Sequence, residues 1–332
     1  MIIARAAGKS DPGRKRRRNE DSYVCEPPLF AVADGMGGAQ AGEVASQLAA
    51  SALREGNGDG DGEKSVVDLI QEANRRVWQR ANEDAAASGM GTTITVALAE
   101  STRVVFGHVG DSRAYLLREG ELIQLTEDHS LVAELVRRGE LSPKEAETHP
   151  QRSVITRALG TDPDVDVDTF AVETQPQDLF LICSDGLSSM VDDETVREVL
   201  EHHRDDLDEA AKALVAAANR GGGEDNITAV LFEVAAGEDA GADTTPMAAV
   251  AEPEEPEPVH DEDEDTLTGL ESPAAAAPAA VDTMVVPPED AAMLAAAPES
   301  PRPTLARRLL VLLVIVTLVL VIAALILWGL AR

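Results

Sequence analysis

The ten residues from Leu29 to Gly38, LFAVADGMGG, constrain the fold of this 332-residue chain more than any other stretch. The apolar residues 29–33 predict a buried strand that ends at Asp34. The glycines that follow allow the backbone to turn sharply and to approach whatever Asp34 binds. A carboxylate at the end of a buried strand is costly unless it is paired or bound to a cation. A strand that ends in an ordinary Asp-Gly turn is the simpler interpretation of the same residues.

The first 234 residues alternate between blocks with helical and with strand periodicity. Apolar spacing predicts helices at 42–54, 65–82, 131–138, 143–148, 193–202 and 207–219. Strands are predicted at 2–7, 29–33, 92–99, 103–109, 114–118, 121–125, 179–183 and 227–234. The four consecutive strands between 92 and 125 are expected to form one antiparallel meander. These blocks together predict an antiparallel α+β fold.

The charge of the chain is strongly acidic and unevenly distributed. The net charge is -32, and residues 237–304 carry 17 Asp and Glu against a single Arg. This balance argues against nucleic acid as a partner. Residues 237–304 are also rich in Ala and Pro without apolar periodicity, so we expect a disordered linker. The two cysteines, Cys25 and Cys183, do not form a disulfide framework and fit a reducing compartment.

The last 24 residues contain an uninterrupted apolar run. Residues 309–330 lack any charge, and a helix of that length is about 33 Å long, enough to cross a bilayer core of about 30 Å. Three arginines precede the run and one follows it, which predicts a cytoplasmic location for the bulk of the chain. The predicted organisation is therefore a folded domain at 1–236, a linker at 237–304, and a basic flank with a transmembrane anchor at 305–332.

Five aspartates share one sequence context, at a predicted strand end or beside a glycine: Asp21, Asp34, Asp111, Asp185 and Asp225. If the strands pack side by side, these carboxylates can converge on hard divalent cations, which prefer oxygen ligands. Paired cations about 3.5–4 Å apart ionise a bridging water and neutralise phosphoryl oxygens in phosphate-ester hydrolysis. A run of five cations, residues 14–18, leads directly into Glu20 and Asp21. This run is typical either of a solvated patch or of a site that holds anions.

Seven motifs over about residues 1–234 resemble, in their order, the metal-dependent protein phosphatase 2C family of Ser/Thr phosphatases. They are Arg16-x-x-x-Glu20-Asp21, Asp34-Gly35-Met36-Gly37-Gly38, Met90-Gly91-Thr92-Thr93, Gly110-Asp111-Ser112-Arg113, Asp128-His129-Ser130-Leu131-Val132, Ser184-Asp185-Gly186-Leu187 and Asp225-Asn226. Residues 128–132 and 149–153 resemble the mobile flap of the bacterial members. The resemblance implies an α-β-β-α sandwich of two antiparallel sheets flanked by helices.

The resemblance also implies a role for each motif residue. Asp34 would bridge two ions, Mn²⁺ or Mg²⁺, and Gly35 would offer its carbonyl oxygen to one of them. Asp185 and Asp225 would complete the shell of the pair. Arg16 would bind the substrate phosphate, because a guanidinium suits two phosphate oxygens. The implied catalytic residues are thus Arg16, Asp34 and Asp185.

Further residues match less central positions of the family pattern. Glu20 and Asp21 would lie in the metal shell or just outside it, through water. Asp111, with Asp185 and Ser153, matches a looser third metal site. Met36 stands where many eukaryotic members have a histidine that is proposed as the general acid, so the proton donor stays open. It could be a metal-bound water or one of two histidines near the motifs, His108 and His129, although a structural role is favoured for both histidines.

The implied activity is hydrolysis of phosphoserine and phosphothreonine in proteins by direct attack of a metal-bridging hydroxide. The expected partners are membrane-associated Ser/Thr kinases and their substrates, and the expected location is the inner or plasma membrane, with a single span. Two alternatives stay open at this point: a phosphatase of a partner-switching pathway that acts on anti-sigma antagonists, and a non-catalytic member that only binds phosphopeptides. A cysteine-dependent phosphatase is excluded, because neither cysteine begins a Cys-x5-Arg motif.

Overall fold

The computed structural model describes residues 2–37, 41–56, 62–84, 87–235 and 284–285. One antiparallel sheet has five strands, in the order β1 (Ile2–Asp11), β12 (Ile227–Ala235), β11 (Leu179–Cys183), β7 (Arg113–Arg118) and β8 (Glu121–Gln124). The other runs β10 (Asp168–Glu173), β6 (Arg103–Val109), β5 (Ile94–Ala99), β3 (Leu29–Met36) and β2 (Asp21–Glu26), and β4 (Gly91–Thr92) pairs with the end of β3.

Helices cover the outer face of each sheet. The six-stranded sheet packs against α1 (Ala41–Glu55) and α2 (Glu63–Glu83), and the five-stranded sheet packs against α5 (Asp185–Ser188), α6 (Asp193–His202) and α7 (Leu207–Gly221). Two short helices, α3 (Leu131–Arg137) and α4 (Pro143–Glu147), lie between β8 and β9 (Val154–Ile155). The predicted α+β class and the four-layer order are confirmed.

Apolar side chains fill three layers, one between the two sheets and one between each sheet and its helices. Many strands are therefore unbroken apolar runs in the sequence. On β3, Ala31 and Ala33 face α1 and α2, whereas Phe30 and Val32 face the other sheet. The rings of Phe30 and Phe232 stack between the sheets with centroids 4.1 Å apart. Because successive side chains of a strand point to opposite faces, a strand buried on both faces is apolar at every position.

Three strand predictions are wrong in detail. The strand predicted at 2–7 continues to Asp11, because β12 pairs with it as far as that residue. The strand predicted at 29–33 continues through Asp34 to Met36, because β4 pairs with Gly35 and Met36. The strand predicted at 92–99 is interrupted at Thr93, whose hydroxyl accepts a hydrogen bond from the Asp34 N–H (3.0 Å) and whose own N–H donates to the Asp34 carbonyl (2.9 Å).

The predicted meander is also wrong. Strands β5 and β6 pair in the six-stranded sheet, whereas β7 and β8 pair in the five-stranded sheet. The turn at 110–112 therefore passes from one sheet to the other and carries Asp111 between them. The apolar pattern did not predict this, since a strand buried on both faces looks the same in either sheet.

The predicted linker and membrane span lie outside the described residues, with one exception. Met284–Val285 forms β13, which pairs in parallel with β9. Among the residues that the structure describes, none of the helices is both long and apolar enough to traverse a bilayer. The predicted span at 309–330 is not among those residues.

Candidate metal centre

Asp21 and Asp34 face each other on neighbouring strands. They are register partners on β2 and β3, which places their Cβ atoms about 4.5–5.5 Å apart. One carboxylate oxygen of Asp21, Oδ2, accepts hydrogen bonds from Ser184 Oγ (2.8 Å) and Thr228 Oγ1 (2.6 Å). Its other oxygen, Oδ1, is buried and has no hydrogen-bond partner in the described part of the chain. A buried oxygen left without a donor fits a position that a cation satisfies.

Asp185 and Asp225 come from adjacent strands of the other sheet. Asp185 is the first residue of α5, directly after β11, and Asp225 lies just before β12. The Asp225 carboxylate accepts hydrogen bonds from Arg16 Nη2 (2.9 Å) and from the N–H of Asn226 (2.8 Å). Because β11 and β12 are antiparallel neighbours, the last residue of β11 and the first residue of β12 lie at the same end of the two strands.

The residues of the predicted third site share one cleft. Asp111, Asp185 and Ser153 line a cavity of about 870 Å³ beneath α3 and α4. The same cavity is lined by Asp128, whose carboxylate forms a bidentate ion pair with Arg113 (2.8 and 2.9 Å). The three residues therefore border one space, and their role as ligands stays a prediction.

Gly35 and Glu20 are held by backbone contacts. The Gly35 N–H donates to the Glu20 carbonyl (3.2 Å), and the Glu20 N–H donates to Asn226 Oδ1 (2.7 Å). A Cβ on Gly35 would lie 2.1 Å from the carbonyl oxygen of Gly42, so only glycine fits. The start of α1 is thus packed directly on the segment that carries Asp34.

Burial and the charges of neighbouring carboxylates raise the pKa of Asp21, Asp34, Asp111 and Asp185. Burial, with the charges of Asp185 and Asp225, raises the pKa of Asp21 to about 7. Burial and the charge of Asp225 raise the pKa of Asp185 to about 6, although Arg16 and a hydrogen bond with Asp34 oppose this. Burial and the charges of its aspartate neighbours raise the pKa of Asp34 well above its usual range. Burial and the charge of Asp185 raise the pKa of Asp111 in the same way. All five predicted aspartates therefore lie close enough to interact.

The donor set fits hard divalent cations rather than zinc, since it consists of carboxylate and carbonyl oxygens. Within the described ranges, no three His, Cys, Asp or Glu side chains stand in a ready-made ligand shell. The fit to a cation rests on the mutual repulsion of the carboxylates and on the buried Oδ1 of Asp21. Mn²⁺ or Mg²⁺ would supply positive charge at this point.

Arg16 points into the site from the loop between β1 and β2. Its guanidinium contacts Asp225, and 23% of its side chain is exposed. The guanidinium also lies near Asp185, and its positive charge partly offsets the rise in the pKa of that carboxyl that burial and Asp225 cause. The predicted phosphate-binding arginine is therefore at the rim of the carboxylate cluster.

Several supporting residues had no role assigned from the sequence. Thr93, Ser184 and Thr228 orient Asp34 and Asp21 through the hydrogen bonds above. Asn226 links Glu20 to the neighbouring loop. Thr93, Ser184 and Asn226 belong to quoted motifs, so the motif pattern was the signal that could have identified them; Thr228 carried no such signal.

Two histidines near the motifs have structural roles, as the sequence favoured. His108 is buried between Thr95 Oγ1 (2.9 Å) and the Glu127 carbonyl (3.1 Å), and burial lowers its pKa to about 3. His129 Nδ1 accepts a hydrogen bond from the Gly110 N–H (3.0 Å) and therefore supports the turn that carries Asp111.

Comparisons with known proteins agree with this geometry. The family described as Protein phosphatase 2C matches residues 16–223. The serine/threonine phosphatase stp of Listeria monocytogenes is 43% identical over 237 residues, which cover 68% of this chain and 94% of that protein. The serine/threonine protein phosphatase PstP of Mycobacterium tuberculosis is 43% identical over 236 residues, 70% of this chain and 45% of that protein.

Solved structures of the mycobacterial enzyme are similar throughout the described domain. The crystal structure of M. tuberculosis PstP/Ppp is 41% identical, with a TM-score of 0.68, and covers 71% of this chain and 100% of that chain. The catalytic domain of PstP in complex with two manganese ions is 40% identical, with a TM-score of 0.65, over 70% of this chain and 98% of that chain.

Proposed function

This chain belongs to the protein phosphatase 2C family, and from that premise we propose that it is a metal-dependent phosphatase of phosphoserine and phosphothreonine in proteins. The observation that supports this most directly is the convergence of five mutually repelling aspartates beside Arg16. The related PstP catalytic domain holds two manganese ions, and this chain presents oxygen ligands suited to the same cations.

Asp34, Asp185 and Asp225 would hold a pair of Mn²⁺ or Mg²⁺ ions, which would neutralise phosphoryl oxygens and lower the pKa of water in the site. The chain itself supplies the geometry. Arg16 offers parallel N–H groups that bind two oxygens of the substrate phosphate and orient it. Met36 packs against Ile155 and Ala158 and carries no acidic proton, so we propose that solvent in the cleft protonates the leaving alkoxide.

We propose further that residues 309–330 anchor the protein in the inner or plasma membrane by a single span, with the catalytic domain in the cytoplasm. The uncharged run and the preceding arginines support this orientation. A flexible linker of 68 residues would extend over roughly 45–50 Å, which raises the local concentration of membrane-associated kinases and their substrates. We therefore propose that the enzyme opposes membrane Ser/Thr kinases.

The test is hydrolysis of phosphothreonine and phosphoserine peptides by the full chain in neutral detergent, after EDTA treatment and after Mn²⁺ or Mg²⁺ is restored. We expect no hydrolysis with EDTA and full recovery with the metal. Calorimetric titration with Mn²⁺ gives a second readout, and Asp34→Asn should abolish both binding and turnover. Hydrolysis by the EDTA-treated chain at the full rate would refute the proposal.

A further inference from the structure

The loop between β1 and β2 carries more positive charge than phosphate binding requires. Residues 14–18, named here the basic loop, read Arg-Lys-Arg-Arg-Arg, and only Arg16 has a role so far. Arg14, Lys15 and Arg17 are exposed to solvent, whereas Arg16 is turned inward to Asp225. In a chain of net charge -32, this is a local positive surface at the edge of the candidate metal centre.

Backbone hydrogen bonds hold the basic loop at both ends. At its start, the N–H groups of Arg14 and Lys15 donate to the carbonyl of Gly223 (2.8 and 3.2 Å). At its end, Asn226 Nδ2 donates to the carbonyl of Arg18 (2.8 Å), and it also donates to that of Pro12 (3.0 Å). The loop is therefore fixed to the same segment that presents Asp225.

A glycine permits this close contact. Gly13 has a φ of +74°, and a Cβ at this position would lie 2.2 Å from the carbonyl oxygen of Asp225. Any other residue would push the basic loop away from the site. The position of the exposed cations relative to Arg16 is thus set by the fold rather than by a mobile segment.

The spacing along the chain limits where the exposed cations can act. Consecutive Cα atoms are about 3.8 Å apart, so Arg14, Lys15 and Arg17 each have their Cα within about 7.6 Å of that of Arg16. A phosphate bound by Arg16 would bring the two or three neighbouring substrate residues, about 3.3 Å apart in an extended peptide, within reach of these side chains.

We propose that Arg14, Lys15 and Arg17 form a specificity surface that selects substrates with acidic residues or a second phosphate next to the phosphorylated residue. This inference rests on the proposed function and names the substrate class of that same site. Charge complementarity of this kind raises the association rate and discriminates between partners, and salt weakens it.

The experiment compares three phosphothreonine peptides of equal length, with acidic, uncharged or basic residues at the three positions on either side. The variant Arg14→Ala/Lys15→Ala/Arg17→Ala is measured against wild type, as the full chain in neutral detergent with Mn²⁺. The control, Arg75→Ala/Arg80→Ala/Lys212→Ala, also loses three exposed positive charges, on α2 and α7 rather than on the basic loop. A small aryl phosphate serves as the substrate without flanks.

At low salt, we expect the kcat/KM of wild type to be about tenfold higher for the acidic peptide than for the uncharged one. The difference should lie in a lower KM for the acidic peptide, with similar kcat for both. The basic-loop variant should reduce that preference to under about twofold, and so should about 0.5 M salt. The control should keep the wild-type preference, and all three proteins should hydrolyse the aryl phosphate equally.

Equal kcat/KM for the three peptides in wild type, or a preference that the basic-loop variant retains, would overturn the inference while leaving the phosphatase activity intact. Failure to hydrolyse any peptide would instead refute the proposed function. Mixed micelles of the neutral detergent with anionic lipid give the remaining arm, because the proposed span inserts equally into micelles with and without that lipid. If wild type but not the variant bound the anionic lipid, and the variant kept its peptide preference, the surface would bind a membrane, and the substrate inference would be wrong.

Discussion

Asp185→Asn should stabilise the metal-free protein, although it removes a predicted catalytic residue. The pKa of Asp185 is raised from 3.8 to about 6 in the folded chain. At pH 8 the ionised carboxylate therefore destabilises the folded chain by up to about 3 kcal/mol, and relaxation of its neighbours reduces this to about 1–3 kcal/mol. Asparagine keeps the shape of the side chain and can still hydrogen-bond to Asp34.

The pH dependence shows whether ionisation of Asp185 raises or lowers the stability of the folded chain. Because the folded pKa is the higher one, the unfolded chain loses its proton first, and stability falls as pH rises from about 3.8 to about 6. The gain from Asp185→Asn should thus be largest above pH 7, about half as large at pH 5, and absent below pH 3.8. Urea unfolding of the full chain in EDTA at pH 8 and pH 5 measures it.

A buried aspartate with a partner provides the matched control. The side chain of Asp178 is 1% exposed, and its carboxylate accepts hydrogen bonds from Arg118 Nε (2.8 Å) and from the Gln175 N–H (2.7 Å). Asp178→Asn should therefore destabilise the protein by about 2–3 kcal/mol under the same conditions. A loss of stability in Asp185→Asn at pH 8, or an equal gain at pH 5, would refute the cost of burying this charge beside Asp225, on which the candidate metal centre is argued.

Three further predictions follow from the site and the tail. Arg16→Ala should raise KM for a phosphopeptide at least tenfold with a smaller change in kcat, because its phosphate contact exists in the ground and transition states alike; the reverse pattern in steady-state kinetics would contradict its role. Gly35→Ala should destabilise the fold by about 2 kcal/mol or more in urea unfolding, since its Cβ would meet the Gly42 carbonyl at 2.1 Å; wild-type stability would show that α1 can move. Deletion of residues 237–332 should release the protein from the membrane fraction and leave aryl phosphate turnover within about twofold, a barrier change of about 0.4 kcal/mol; a tenfold change would mean that the tail regulates the site.

Much of the local structure could be predicted, because it depends on periodicity. The strands at 103–109 and 179–183 and the helix at 193–202 have the predicted bounds. The polar strand Asp21–Glu26 and the one-turn helix at Asp185 were not predicted, since neither has an apolar period. Their formation depends on contacts that an apolar period does not report: the first pairs with β3 across the two-residue turn at 27–28, and Gly186 in the second packs on the carbonyl of Asn226, just before β12.

The sequence by itself predicted which residues would carry the chemistry, because a carboxylate beside a glycine at the end of an apolar block is costly to bury unless it binds a cation or a partner. Only the tertiary structure decided how these carboxylates meet. Asp21 and Asp225 are about 200 residues apart, and only the pairing of strands in two different sheets brings them together. Local periodicity reports how deeply a segment is buried, not which segment covers it. For the same reason, the sequence showed five consecutive cations, and the packing of Gly13 on Asp225 decided that Arg16 turns inward while the other four are exposed.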